Sequence, residues 1–104
     1  MDTKTFNALA EPTRLRIVEL LREHPSSVND IAAQLNLQQS RTSKHLRALK
    51  EARMVSVSTV AHQHIYELNQ APFLELNDWV SSFNYYWNAR FDRLNSHLKV
   101  LKKG

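Results

Sequence analysis

Five cationic side chains, Arg41, Lys44, Arg47, Lys50 and Arg53, fall within thirteen consecutive residues and are opposed there only by Glu51. Ammonium and guanidinium groups at this density hold phosphate oxygens, and an arginine fork can also pair with guanine. The remaining residues carry nine basic and nine acidic side chains, so the formal charge of +4 resides in that stretch. A basic stripe on a balanced chain points to a polyanion-binding element. Other reactive residue types are sparse. Cysteine is absent and the only glycine is Gly104, which excludes disulfides, thiolate zinc sites, thiol nucleophiles and glycine-rich phosphate loops. No paired general acid and base, nucleophile elbow or metal triad is visible, so catalysis is not expected.

The length of 104 residues suits one domain, residues 1–104. No apolar run comes near the roughly 18 residues of a membrane span. Met1-Asp2-Thr3-Lys4-Thr5-Phe6 lacks the layout of a secretory signal, and a cytoplasmic protein is expected.

Hydrophobic spacing supplies the elements. A short helix spans about Thr3 to Ala10, with Phe6 and Leu9 on one face. Pro12 opens a second helix, where its missing N–H costs nothing; Leu15, Ile17, Val18, Leu20 and Leu21 form its apolar side. Pro25 stops it, and His24 in the last turn suits the negative helix end. Ser27 and Asp30 frame a capping box for a third helix that buries Val28, Ile31, Ala32 and Leu35. Asn36 tolerates the left-handed turn that follows, Leu37 packs inward, and a fourth helix runs from Gln38 to Ala52. Residues 27–53 thus read as a helix-turn-helix.

At roughly 100° per residue, Thr42, Leu46 and Leu49 cluster on the core side of the fourth helix. Ser40, Lys44 and Arg47 then point away, flanked by Arg41 and Ser43. His45 falls nearer Leu49 and is expected to be partly buried and hydrogen-bonded. Residues 54–68 alternate as a hairpin, Met54–Thr59 and His64–Leu68, making a wing. Its tip, Val60 to Gln63, lacks Asn-Gly or Gly-X and is expected to be long and mobile. His62 and His64 could share a strand face, as a weak metal pair or as solvated residues that meet phosphate when protonated.

Residues 72–102 form a final helix. Leu76, Val80, Phe83, Trp87, Phe91, Leu94, Leu98 and Leu101 follow near-heptad spacing, the mark of a helix seam. Six of the nine aromatics fall within residues 79–91, more apolar surface than a small core covers, so a subunit interface is expected; a small-molecule pocket is the lesser alternative. The fold class is mainly α with a small β-hairpin, in the order α1-α2-α3-α4-β-hairpin-α5.

Three segments carry a family resemblance. Ala10-Glu11-Pro12-Thr13-Arg14-Leu15-Arg16-Ile17 resembles the second-helix opening of the ArsR-type (ArsR/SmtB) winged helix-turn-helix repressors. Residues 37–52 are similar to that family's recognition helix, and Ile65-Tyr66-Glu67-Leu68-Asn69 to the return strand of its wing. Trp79 and residues 86–94 resemble a subgroup with a long aromatic last helix. The resemblance implies a homodimeric repressor pairing through its first and last helices and binding a pseudo-palindromic operator. It implies that Gln39, Ser40, Arg41, Ser43, Lys44 and Arg47 face DNA, that Gln38 caps the helix or touches phosphate, and that Phe6 joins the interface. Lys44, Arg47 and Lys50 are expected on phosphates, with Gln39, Ser40, Arg41 and Ser43 on base edges.

The chain departs from the family at Arg53, where glycine is common, and at the wing, where Ala61, His62 and His64 replace glycine and arginines. Met54 to Tyr66 carries no formal charge, so the fourth helix is expected to supply most of the attraction to DNA. The family's metal sites use cysteines or paired Asp and His ligands on the last helix. Here only Asp92 and His97 remain, short of the about four ligands that zinc takes, and neither metal nor cofactor is expected. The inducer is open. The rival readings are a winged-helix protein-interaction module and a metal-responsive repressor with a non-standard histidine site.

Overall fold

The computed structural model describes residues 3–103, with side chains from 3 to 98. The side chains of Leu101 and of the tail Lys102-Lys103-Gly104 lie outside those described. The chain divides into two compact units, one ending at Phe73 and one starting at Leu74.

The first unit begins with α1 (Thr3–Leu9) and α2 (Pro12–Glu23). Pro12 occupies the first turn of α2, and the Glu11 carboxylate caps it by accepting the Arg14 N–H at 3.0 Å. His24 is the C-cap residue of α2. It turns extended, and its Nδ1 lies 3.0 Å from the Pro25 carbonyl oxygen and 3.1 Å from the Ser26 hydroxyl. The ring closes the bend into β1 (Ser26–Ser27), a strand too short to leave a periodic signal.

Ser27 caps α3 (Val28–Leu35), its Oγ accepting the Asp30 N–H at 3.1 Å. Ser27 also lies opposite Ile65 in the β1–β3 ladder. Asn36, at φ 55°, supplies the left-handed cap, and the Leu37 N–H returns to the Ala32 carbonyl at 2.9 Å. Next come α4 (Gln39–Glu51) and the wing strands β2 (Val55–Val60) and β3 (Gln63–Leu68). The sheet is antiparallel with order β1-β3-β2, so the wing is anchored to the start of α3 by a third strand.

The wing tip corrects the expectation of a long loop. Val60 pairs with Gln63, leaving Ala61 and His62 as a two-residue turn with φ 49° and 66°. A turn with two positive φ values matches the right-handed twist of the strands. That match outweighs the missing glycine, although each such residue costs about 1–2 kcal/mol. Arg53 (φ 61°) likewise stands where glycine would serve. The N–H of Arg53 meets the Lys50 carbonyl and that of Met54 the Leu49 carbonyl, each at 2.9 Å, a Schellman closure with arginine in the left-handed position.

The core of this unit is Ile17, Ile31, Leu46, Leu49, Met54 and Val55, contributed by α2, α3, α4 and the start of the wing. Val28, Leu20, Leu35, Tyr66, Leu68 and Phe73 pack against it half-buried. Leu15, expected inside, is 44% exposed. The second unit is the helix α5 (Gln70–Lys103) from Leu74 onward. The helix starts two residues before its expected position because Pro72 fits within a first turn.

Candidate nucleic-acid interface

The orientation of α4 is set from its buried side. Thr42, Leu46 and Leu49 have no exposed surface. The Thr42 hydroxyl would be orphaned in such a place, but it donates to the Gln38 carbonyl oxygen at 2.9 Å. That bond, with the Thr42 N–H to the same oxygen at 3.0 Å, secures the first turn. Gln38 therefore contributes its backbone to the helix start, and its side chain makes no cap bond. Fully burying two leucines is worth about 1.5–3 kcal/mol each, enough to prevent the helix from rolling about its axis.

With that side fixed, Gln38, Gln39, Ser40, Arg41, Ser43, Lys44, Arg47 and Lys50 are all exposed. The eight positions expected to meet DNA thus lie together at the start and along the outer side of one helix. Among the described residues, Arg41, Lys44, Arg47 and Lys50 enter no ion pair, so their charges are available to an outside anion. Lys50 lies in the last turn, where it also complements the negative helix end.

His45 and Glu11, residues the sequence placed on separate helices without linking them, join α4 to α2. Nδ1 of His45 lies 3.6 Å from Glu11 Oε2, and the two side chains are largely covered. Burial works to raise the Glu11 pKa, but the Arg14 N–H, the facing His45, and the Thr13 N–H and hydroxyl together hold it below the ordinary carboxylate range. The spacing of His45 from Leu49 had indicated its partial burial, while its partner is a tertiary contact that no local pattern encodes. Arg16 Nη2 donates to the Leu35 carbonyl at 3.2 Å, tying α2 to the end of α3. At the other end of α4, Asn69 Nδ2 donates to the Arg53 carbonyl at 2.9 Å, bracing the left-handed turn between α4 and the wing.

The wing carries His62, Gln63 and His64 exposed at its tip, and Val60 is 58% exposed. His64 Nδ1 lies 3.5 Å from the Thr59 hydroxyl across the strand pair. Among the described residues, no three His, Cys, Asp or Glu side chains gather as metal ligands, and no helix is long and apolar enough to cross a membrane.

On α5, the expected seam is largely uncovered. Leu76 is half-buried, while Val80, Phe83, Trp87, Phe91, Leu94 and Leu98 are exposed, Trp87 by 50% and Phe91 by 57%. Trp79 meets Phe83 edge-on at 5.1 Å, Tyr86 meets Trp87 at 5.0 Å, and Trp87 tilts over Phe91 at 6.5 Å. Arg90 stacks 4.7 Å from the Tyr86 ring centre. In the first unit, Phe6 is 38% exposed. Tyr85, by contrast, is 85% exposed off the seam.

Comparison with known proteins agrees with this architecture. Residues 11–57, spanning α2, the helix-turn-helix and the first half of β2, match the family described as "Bacterial regulatory protein, arsR family". An ArsR-like transcriptional regulator from Rhodococcus sp. RHA1 shares the fold, with a TM-score of 0.73 at 23% identity over 88% of this chain and 87% of that one. The homodimeric winged helix-turn-helix DNA-binding domain of Mb0332 from Mycobacterium bovis aligns with a TM-score of 0.65 and 25% identity, covering 78% of each chain. The transcriptional repressor SdpR of Bacillus subtilis is 31% identical over 78 residues, which cover 75% of this chain and 87% of that one. With the recognition helix, the wing and these likenesses in agreement, the chain belongs to the arsR family of bacterial regulatory proteins.

Proposed function

We propose that this transcriptional regulator is a cytoplasmic homodimeric repressor that reads a pseudo-palindromic operator with α4 in the major groove. The carrying observation is the two-sided character of α4: Thr42, Leu46 and Leu49 are locked in the core while the eight polar and basic positions opposite are exposed. Lys44, Arg47 and Lys50 hold phosphates, which supply affinity without sequence information. Gln39, Ser40, Arg41 and Ser43 stand near the helix start, where base edges are reached; glutamine pairs with adenine and arginine with guanine in bidentate fashion. The uncovered seam of α5, with Phe6 of α1, pairs with a second copy. This agrees with the homodimeric state of the Mb0332 domain. Two recognition helices about 34 Å apart then occupy successive major grooves, and repression follows from occupying a promoter. The two units act together as one domain, and the protein acts by binding, without catalysis.

The test is Arg47→Ala. It is expected to weaken binding to operator and unrelated DNA alike and to reduce the slope of log K against log salt by about 0.9, one phosphate contact. Unchanged affinity and slope would remove Arg47 from the phosphate contacts.

A further inference from the structure

A cavity of about 360 Å³ opens within the first unit, where α1, α2 and the end of α4 meet. Volumes of this order hold small organic molecules. Its apolar lining is three small residues, Ala8, Ala48 and Ala52, and its polar side chains are Lys4, Asn7, Arg14 and Glu51. Arg14 carries the most information. Its Nη1 donates to the Ala8 carbonyl oxygen at 3.4 Å, which ties α2 to α1. Its Nε is covered yet meets no acceptor, the one such buried side-chain nitrogen or oxygen among the described residues. A covered donor left empty is costly, and a guanidinium offers its donors as a fork that fits a carboxylate with two parallel bonds. Glu51 lines the same cavity and is exposed. Among the described residues, neither Arg14 nor Glu51 enters an ion pair. Opposite charges therefore line one cavity without closing on each other. A ligand of one sign would satisfy one of them and be repelled by the other. A ligand that carries both signs satisfies both.

We propose that this cavity binds a free α-amino acid as its zwitterion, with the carboxylate on Arg14 and the ammonium on Glu51. Seating a carboxylate gives the Arg14 Nε the acceptor it lacks. Lys4 adds a second positive charge to the hold on that group, and the Asn7 amide can donate or accept. The three alanines leave room for the ligand's own side chain and offer it methyl contacts. None of the lining residues is among those assigned to DNA or to the subunit seam, so the site is tested apart from those readings.

The native protein is screened by thermal shift against the standard L-amino acids one at a time, and each that raises Tm is titrated by calorimetry. At least one is expected to raise Tm and to bind with a Kd below about 1 mM. Its deaminated acid and its decarboxylated amine each keep a single charge and should bind at least about tenfold more weakly. Arg14→Gln should weaken the amino acid by about tenfold or more. Because Arg14 also joins α2 to α1, Glu51→Gln supplies a variant that spares the packing, its side chain being exposed. In that variant the amino acid should fall to the affinity of its deaminated acid, a loss of discrimination that a merely structural role does not produce. Glu19→Gln, on the exposed side of α2 outside the cavity, should bind as the native protein does. The proposal is overturned if no amino acid binds, or if the deaminated acid binds the native protein as tightly as the amino acid. It is equally overturned if Arg14→Gln or Glu51→Gln, once folded, binds with native affinity and discrimination.

Discussion

Glu11 acts away from the exposed basic side of α4. Its carboxylate caps α2 and faces His45 of α4. Because its folded pKa is lowered, the ionised form stabilises the fold above the ordinary carboxylate range, and that contribution is lost as pH falls through the lowered value. Glu11→Gln should therefore flatten the acid limb of a pH–stability curve while leaving the neutral region less changed; an unaltered acid limb would rule out Glu11 as a contributor. Ala61 poses a different question at the same scale. Its φ of 49° is one that glycine adopts freely, so Ala61→Gly should stabilise the protein by about 1 kcal/mol in denaturant titration. A loss of stability would mean that the turn is not held in its left-handed form.

At the scale of elements, the apolar periodicity of α2, α3 and α4 and the outward direction of the basic stripe were legible because they depend on local repeats. Leu46 is predicted from spacing alone to be core, and it is fully buried. Leu46→Ala should cost about 2–5 kcal/mol in urea unfolding; a cost under about 1 kcal/mol would mean that α4 is not anchored by its inner side. The features that escaped the sequence are of another kind. β1 spans only two residues and exists because β3 is there to pair with it. The tight wing tip is imposed by the six-pair ladder between β2 and β3, which overrides the unfavourable turn chemistry of Ala61 and His62. Leu15 sits on the helical stripe of α2, yet the core closes without it, because burial depends on what the other elements bring opposite.

The whole molecule presents two surfaces of unlike chemistry. The exposed side of α4 is basic, and the exposed side of α5 is apolar and aromatic; the proposed reading gives the first to DNA and the second to another copy of the helix. The seam was legible as a heptad pattern with more aromatics than a small core can hold. Its partner is not, since a pattern of exposure names no occupant. Trp87→Glu places a charge at the seam's centre and should cost at least about 2 kcal/mol of dimerisation. Sedimentation should then report a monomer, and circular dichroism a retained helical fold, because Trp87 is half exposed in the single chain. A stable dimer that still binds DNA would contradict the interface.

In the proposed function, the charge gathered on α4 serves to bind DNA. That role is tested most directly by titrating salt against the affinity of the confirmed dimer for DNA from upstream of its own coding sequence. The expected result is binding above that of unrelated DNA, with log K falling linearly against log salt by about 0.9 for each phosphate contacted. Background-level binding at low salt, by a dimer shown to be folded, would rule out that role for α4 and favour a protein-interaction module.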